Sequence, residues 1–519
     1  MKAKDYQISS EKFVFRSQNG NLHDNKLETK PVSYFRDALN RFSRNKGSIL
    51  AFAVIMLLVL FAIVGPRLTP YTVSYQDETY KFMLPKNELC YKLGIGFWDG
   101  GKQGDGLNEY SYTLHKATQE EIGRDVFMSD VEVSEQTYMG KTNNQYSYRY
   151  DVYNAVGMKF VYISNAEYEA LQDYQDENQI QVIYPITESS KRPTNKKYSG
   201  DESKVWYLTD KQGNVVYNKK TGDFINIYQA DDGKDNYTST MLFEERDGET
   251  TGKKYNYAIK KDGDVWEVRV DYREYYIYKH AMAGDGITAP SFLFGTNDFG
   301  KDLFVCLASG ARFSFILAVI VATVNLCVGA IYGAIEGYYG GKLDLLMERF
   351  VELLSSVPFM IVISLMKYHF NVSHIIILFL AFFLTGWTGM ASRTRMQFYR
   401  FKNQEYVLVA RTLGASDGRI MFKHIFPNAV GTLITSSVLV IPGVIFSETS
   451  LSYLGIINLS TGSMTSVGTL LSNGQGFLST YPHMILFPAV FISLLMLCFN
   501  LFGNGLRDAF NPSLRGSED

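Results

Sequence analysis

The sequence predicts an all-α polytopic membrane protein of six transmembrane helices, interrupted after the first by an inserted extracellular α+β domain rich in antiparallel strand. Three observations lead there. Long uncharged apolar runs occur only outside residues 67–305. That segment holds 38 Asp+Glu against 28 Lys+Arg, a net charge of −10, whereas the rest of the chain holds 15 against 23, a net of +8. It also holds 26 of the 36 tyrosines. The averages over 519 residues, 46% hydrophobic and 20% charged, look globular only because they mix two populations. A single soluble enzyme does not divide in this way.

The spans come first. A hydrocarbon core of about 30 Å needs about 20 apolar residues in a helix. Segments 49–66, 313–335, 350–366, 375–392, 428–447 and 484–503 meet or approach that length. The second, fifth and sixth contain no Asp, Glu, Lys or Arg. The third contains Glu352 and is interrupted by Pro358. The first follows 48 residues and ends in Gly65-Pro66-Arg67, with no small-x-small cleavage pattern, so an uncleaved anchor is expected.

Orientation follows from the basic residues beside the spans. Residues 1–47 hold ten Lys+Arg, the loop 393–427 holds seven, and the loop 448–483 holds none. This places 1–47, 336–349, 393–427 and 504–519 in the cytoplasm, and 67–305 and 448–483 outside. The expected division is a cytoplasmic segment 1–47, a first span 48–66, an inserted domain 67–290, an outer elbow 291–312, a five-helix core 313–503 and a tail 504–519.

The inserted segment carries strand and turn chemistry. Short β-branched and aromatic runs occur at 205–208, 215–217, 224–228 and 265–270, and Asp262-Gly263 marks a hairpin before the last of them. Capping boxes are expected at Thr118-x-x-Glu121 and Ser164-x-x-Glu167. Of four cysteines only Cys90 lies well inside this segment, so no disulfide framework holds it. Asp231–Asp235 lacks the Asp-x-Asp-x-Asp-Gly spacing of a calcium loop and reads as a solvated turn. His115 and His280 have no neighbouring metal-ligand residues in sequence, and no metal site is expected.

The loop after the fourth span carries the functional signal. Residues 405–416 read as a short amphipathic helix with a Gly stop, with Val407, Ala410 and Leu413 on one apolar face. So short a helix is marginal alone and wants a partner surface. Ala410-x-x-x-Gly414 followed thirteen residues later by Pro427 resembles the "EAA" loop of ABC importer permeases. The longer run 405–428 resembles the C-type permease of oligopeptide and dipeptide importers. So do Arg41-Phe42-x-Arg44-Asn45-Lys46, the stretch 295–302 with Gly310-Ala311-Arg312, Leu451-Ser452-Tyr453-Leu454-Gly455 and the stretch 500–508. The resemblance covers roughly 36–66 and 290–516. Leu408 stands at the loop's name-giving acidic position and Val409 at the following Ala. An insertion of about 200 residues replaces the family's short first outer loop.

The resemblance implies a type I ABC importer permease fold in a bacterial cell membrane. It implies as partners a second homologous permease, two cytoplasmic ATPases, an extracellular peptide-binding lipoprotein and a peptide substrate. Nucleic acid is not among them. ATP and Mg would be bound by the ATPases, and no cofactor by this chain. Coupling to the ATPase would fall to Glu405, Tyr406, Ala410, Arg411, Gly414 and Ala415, with Ala410 and Gly414 for close packing and turning. The residues themselves agree with that division of labour: Gly340-Gly341-Lys342 lacks the first Gly and the hydroxyl of a phosphate-binding loop, so this chain is not expected to be an enzyme. Glu448 and Pro442 are the pathway candidates, and Arg349 and Glu352 read as a structural pair. The alternatives are a nickel, haem or dipeptide importer of the same kind, a membrane-anchored ligand sensor built on the outer domain, and a secondary transporter or channel.

Overall fold

The computed structural model describes residues 34–510 except 139–140, 188, 190–191, 193–199, 229–256, 262 and 461–463. Helix α1 (Tyr34–Arg44) leads through Asn45 into α2 (Lys46–Leu68). The Asn45 side chain caps α2 by accepting from the Ser48 amide at 3.2 Å. At 23 residues α2 is about 34 Å long, enough to cross a bilayer. Ser48, Ala51, Ile55, Leu58, Ala62 and Gly65 recur at helical spacing and form its buried stripe. Its other side leaves Leu50, Met56, Leu57 and Leu60 at least half exposed, a surface that suits lipid and not water.

The inserted domain follows. It contains α3 (Glu88–Leu93), β1 (Gly101–Leu107), α4 (Glu109–Ile122), β2 (Glu132–Tyr138), β3 (Lys141–Asp151), β4 (Met158–Ser164), α5 (Asn165–Asn178), β5 (Ile183–Tyr184), β6 (Ala258–Lys260), β7 (Val265–Asp271) and α6 (Tyr272–Ala283). One antiparallel sheet has the order β1-β3-β2. The other runs β4-β7-β5, with β6 also on β7. Ser164 caps α5 as expected, accepting from Glu167. Thr118 does not start a helix: it lies inside α4, bonded back to Leu114, and Asn108 is the true cap. The runs 205–228 form only single bridges, Tyr207 with Asn226, Thr209 with Val215 and Tyr217 with Phe224. Gly263 takes φ +75° in the β6–β7 turn. The Asp231–Asp235 turn lies outside the described residues.

Many of the tyrosines are interior. Tyr71, Tyr80, Tyr153, Tyr272, Tyr275, Tyr276 and Tyr278 share one core with Val268, Val270 and Phe292. Their hydroxyls find partners in several cases, as when Tyr272 donates to both oxygens of Asp77 at 2.9 and 2.8 Å. Segment 77–83 is bonded to the elbow: Phe82 N–H to the Asn297 carbonyl at 3.2 Å and Met83 N–H to Thr296 Oγ1 at 2.8 Å.

The body then runs α7 (Leu303–Tyr339), α8 (Gly341–Ser356), α9 (Phe359–His369), α10 (His374–Thr385), α11 (Thr388–Phe401), α12 (Glu405–Thr412), α13 (Asp417–Arg419), α14 (Phe426–Tyr453), α15 (Val467–Gln475) and α16 (His483–Phe510). Among the described residues, five helical stretches are long and apolar enough to span a bilayer, and α8 with α9, bent by 75° at Val357-Pro358, counts as a sixth if the pair is one span. Pro358 has no N–H to donate, and its ring disfavours helical geometry at Val357. Arg349 and Glu352 pair on the exposed side of α8.

Small residues let the helices touch. On α7, Gly329, Gly333 and Gly337 face α11 at four-residue spacing; a Cβ on Gly333 would lie 2.1 Å from the Ala391 carbonyl oxygen. A Cβ on Gly505 would lie 1.9 Å from Ser48 Oγ, so the end of α16 crosses the start of α2. The start of α16 lies against the elbow, with Phe294 stacked on Phe487 at 4.1 Å, and against the inserted domain through Trp98. The body therefore has two ends. One carries the elbow and the inserted domain. The other carries α1, the end of α7 and α12.

Candidate coupling site

Helix α12 is built to be short. Gln404 enters extended and its carbonyl accepts from Val407 and Leu408. Glu405 in the first turn and Arg411 in the last match the helix dipole. The stop is a Schellman arrangement: Ala415 N–H reaches the Ala410 carbonyl at 3.1 Å and Gly414 N–H the Arg411 carbonyl at 3.0 Å. Gly414 takes φ +80° with no atom within 4 Å of where a Cβ would be. Within this chain its contribution is the turn.

One face of α12 is used by the chain itself. Val407 is fully buried and Ala410 nearly so. Val407 joins Ala334, Tyr338, Phe398, Ile420, Met421 and Ile425 in a small core under the helix. Val407, Ala410 and Leu413 do not share one partner-facing side as expected: Leu413 is 81% exposed while the other two are buried. The open surface consists of Tyr406, Leu408, Val409 and Leu413, with Glu405 and Arg411 beside them. Leu408 and Val409, the positions that depart from the loop's usual residues, form the middle of this apolar ridge. The pattern alone does not separate two apolar faces on eight residues, so the ridge was not legible without the packing.

Polar contacts fasten this unit to the spans. Tyr338 at the end of α7 donates to Asp417 Oδ1 at 2.6 Å, and Arg411 lies 3.4 Å from the same hydroxyl. Asn428 donates to the Tyr406 hydroxyl at 3.3 Å. Lys402 donates to the Gly337 carbonyl at 2.9 Å. Between α13 and α14 the chain makes a π turn over Ile420–Ile425, which absorbs one extra residue where loop becomes span. Below it lies a charged layer that sequence reasoning did not find. Arg395 on α11 binds Asp344 with two nitrogens, at 2.6 and 3.1 Å, and sits 3.3 Å from Glu336 and 3.5 Å from Glu348. Tyr399 adds a bond to Asp344 at 2.6 Å. Arg395 lies 51 positions from Asp344, and only the fold brings α7, α8 and α11 to one point.

The two pathway candidates lie within the chain. Glu448 on α14 is completely enclosed and accepts from Ser314 on α7 at 2.9 Å and from Ser452 at 3.1 Å. Pro442 is buried in the middle of α14. Among the described residues, no group of His, Cys, Asp and Glu is arranged to hold a metal ion.

The family model described as the binding-protein-dependent transport system inner membrane component matches residues 325–516, and that for the N-terminal TM domain of oligopeptide transport permease C matches residues 33–85. The oligopeptide transport system permease protein OppC of Bacillus subtilis (strain 168) is 41% identical over 222 residues, 43% of this chain and 72% of that protein. The dipeptide transport system permease protein DppC of Lactococcus lactis subsp. cremoris is 39% identical over 231 residues, 44% of this chain and 65% of that one. Among solved structures, an inward-facing MetNI methionine ABC transporter aligns at 13% identity over 40% of this chain and 96% of its own, with a TM-score of 0.33. The N-terminal match runs past the first span to residue 85, over the segment bonded to the elbow.

Proposed function

Because the chain belongs to the binding-protein-dependent transport permeases, in the oligopeptide permease C family, and has the type I ABC importer permease fold, we propose that it is the permease subunit of a peptide importer and hands its spans' motion to an ATPase through α12. A second, homologous permease completes the translocation path. Two cytoplasmic ATPases bind the ATP and Mg, and an extracellular lipoprotein delivers peptide. The α12 end of the body faces the cytoplasm and the inserted domain faces outward, in keeping with ten basic residues in 1–47 and none in 448–483.

The observation that carries this reading is the division of α12 into two faces. Val407 and Ala410 lock it to the body while Leu408, Val409 and Leu413 stay open. A helix held so firmly, with an apolar ridge exposed to water, is suited to fill a cleft on another protein. When the ATPases close on nucleotide, a push on the ridge reaches α7 through Tyr338 and α14 through Asp417 and the π turn. The spans then rock as rigid bodies between two access states.

Co-purification tests the reading. The wild-type chain should bring down two ATPases and a second permease. Leu413→Asp should reach the membrane at normal abundance, since the side chain is 81% exposed, and lose the ATPases. Retention of both ATPases by that variant and by Leu408→Asp together would refute the docking role.

A further inference from the structure

We propose that a cavity of about 260 Å³, formed where the inserted domain meets the turn before α16, receives the carboxylate end of a short peptide. This rests on the peptide-import reading and adds to it a place on this chain where substrate is touched.

The first observation is charge. Lys81, Lys102, Lys159 and Lys204 all line the cavity, and no Asp or Glu lines it among the described residues. The surrounding segment carries a net charge of −10, so four lysines lining one cavity with no acid in its wall run against the local composition. Lys81 is 3.8 Å from Glu78, and Lys204 is 3.9 Å from Asp201 while donating to the Ala155 carbonyl at 2.9 Å. Lys102 lies over the Tyr481 ring, 4.5 Å from its centre, and Lys159 has no carboxylate in ion-pair range among the described residues. Lysines lining a concave site favour an anion there.

The second observation is the wall. Phe82 takes φ +59° although it has a side chain, a conformation that persists only where the surroundings enforce it. Its ring is stacked on Tyr481 at 4.6 Å and lies 4.8 Å from Phe477, so the strained backbone presents an aromatic face at the cavity. Tyr150 and His115 complete the wall, with His115 bonded to the Tyr148 hydroxyl at 2.9 Å. Burial pushes the His115 imidazole down to about 3, so at neutral pH the ring is a neutral surface and the charge is left to the lysines. A carboxylate with an apolar residue beside it fits both features.

Size and place narrow the ligand. The volume lies just under the usual range for a whole small-molecule ligand, roughly 300–1,000 Å³, which suits one terminal residue and not an oligopeptide. The cavity also sits on the joint. Its floor includes Phe82 and Met83, which are bonded to the elbow, and Tyr481, which leads into α16. Peptide seated there would touch the inserted domain and the permease body together.

The test is calorimetric titration of the full-length chain in lipid nanodiscs with Ala-Ala-Phe and with its C-terminal amide. The free acid should bind at least tenfold more tightly than the amide and more weakly at high salt. The Lys102→Gln, Lys159→Gln double variant should lose at least tenfold in affinity for the acid with an unchanged melting temperature. Equal binding of acid and amide, or equal competition by acetate alone, would overturn the proposal. Uptake by the assembled importer separates the two readings. Binding by the chain without ATP-driven uptake would count against the import reading and leave the site standing. Normal uptake by the lysine variant, with no acid-selective binding by the wild type, would remove the site and leave import standing.

Discussion

The Tyr338 hydroxyl donates to Asp417 Oδ1 at 2.6 Å, which ties the last turn of a 37-residue span to the segment just after α12. The two residues are 79 positions apart in sequence. They make the shortest polar link between α7 and the loop that precedes α14, with Arg411 leaning on the same hydroxyl.

Tyr338→Phe keeps the ring in its core and removes only that bond. A hydrogen bond to a charged group at a partly exposed site is worth about 1 kcal/mol, which is roughly fivefold in a coupled equilibrium. The variant should assemble with its ATPases and show transport several-fold below wild type at equal ATP turnover. The ratio of peptide moved to ATP hydrolysed, measured in proteoliposomes, reads this directly.

Gly414 separates backbone strain from steric fit. Its φ of +80° disfavours residues with a Cβ, yet nothing lies within 4 Å of the site. Gly414→Asn should therefore be tolerated, because Asn visits this region at low cost. Gly414→Val should cost about 1–2 kcal/mol or more, unwind the end of α12 and reduce uptake sharply. Parallel uptake assays at matched membrane abundance check the difference.

Much of this molecule was legible in its sequence. Length and apolarity found the long apolar helices, because a bilayer sets a threshold that few soluble segments reach. Pro358 marked the break in the third. The Ala410-x-x-x-Gly414 spacing placed the short helix α12, and Gly414 ends it at φ +80°. The side of α12 that is free was not legible, because Val407, Ala410 and Leu413 look equivalent until Val407 is seen packed with Tyr338 and Phe398 and Leu413 is seen exposed. The Thr118-x-x-Glu121 spacing does not mark a cap, because a Thr three residues before a Glu also occurs inside helices, as it does in α4. The Arg395 layer could not be found from spacing, since Glu336, Asp344 and Arg395 come from three helices. The stripe Gly329-x-x-x-Gly333-x-x-x-Gly337 did carry a sequence signal for close helix contact.

Arg395 should be a stability residue. It stands against Asp344, Glu336 and Glu348, with Glu336 fully buried and Arg395 26% exposed. Removing the cation leaves carboxylates facing one another and costs about 3 kcal/mol, at the low end for broken buried pairs because of the residual exposure. Arg395→Ala should melt several degrees lower in detergent. Arg395→Lys should recover part of the loss and not all, since Lys cannot make the two-nitrogen contact with Asp344.

Carboxylate binding at the cavity should weaken in alkali. Burial brings the Lys204 ammonium down to about 8, from an ordinary value near 10.5, and Lys159 lowers it further while Asp201 opposes the shift. His115 is already neutral throughout that range. As pH rises through about 8 the cavity loses one positive charge, so affinity for Ala-Ala-Phe should fall between pH 7 and 9. The Lys204→Met variant should bind more weakly at pH 7 and show a flatter profile over the same range.

The most direct test is site-specific cross-linking from the ridge of α12. Leu413→Cys in the assembled importer should form a disulfide or short bis-maleimide link to an ATPase subunit, with a yield that changes when nucleotide is added. The same cysteine should resist a membrane-impermeant maleimide applied to intact cells. Labelling from outside the cell, or no link to an ATPase under any nucleotide condition, would contradict the account.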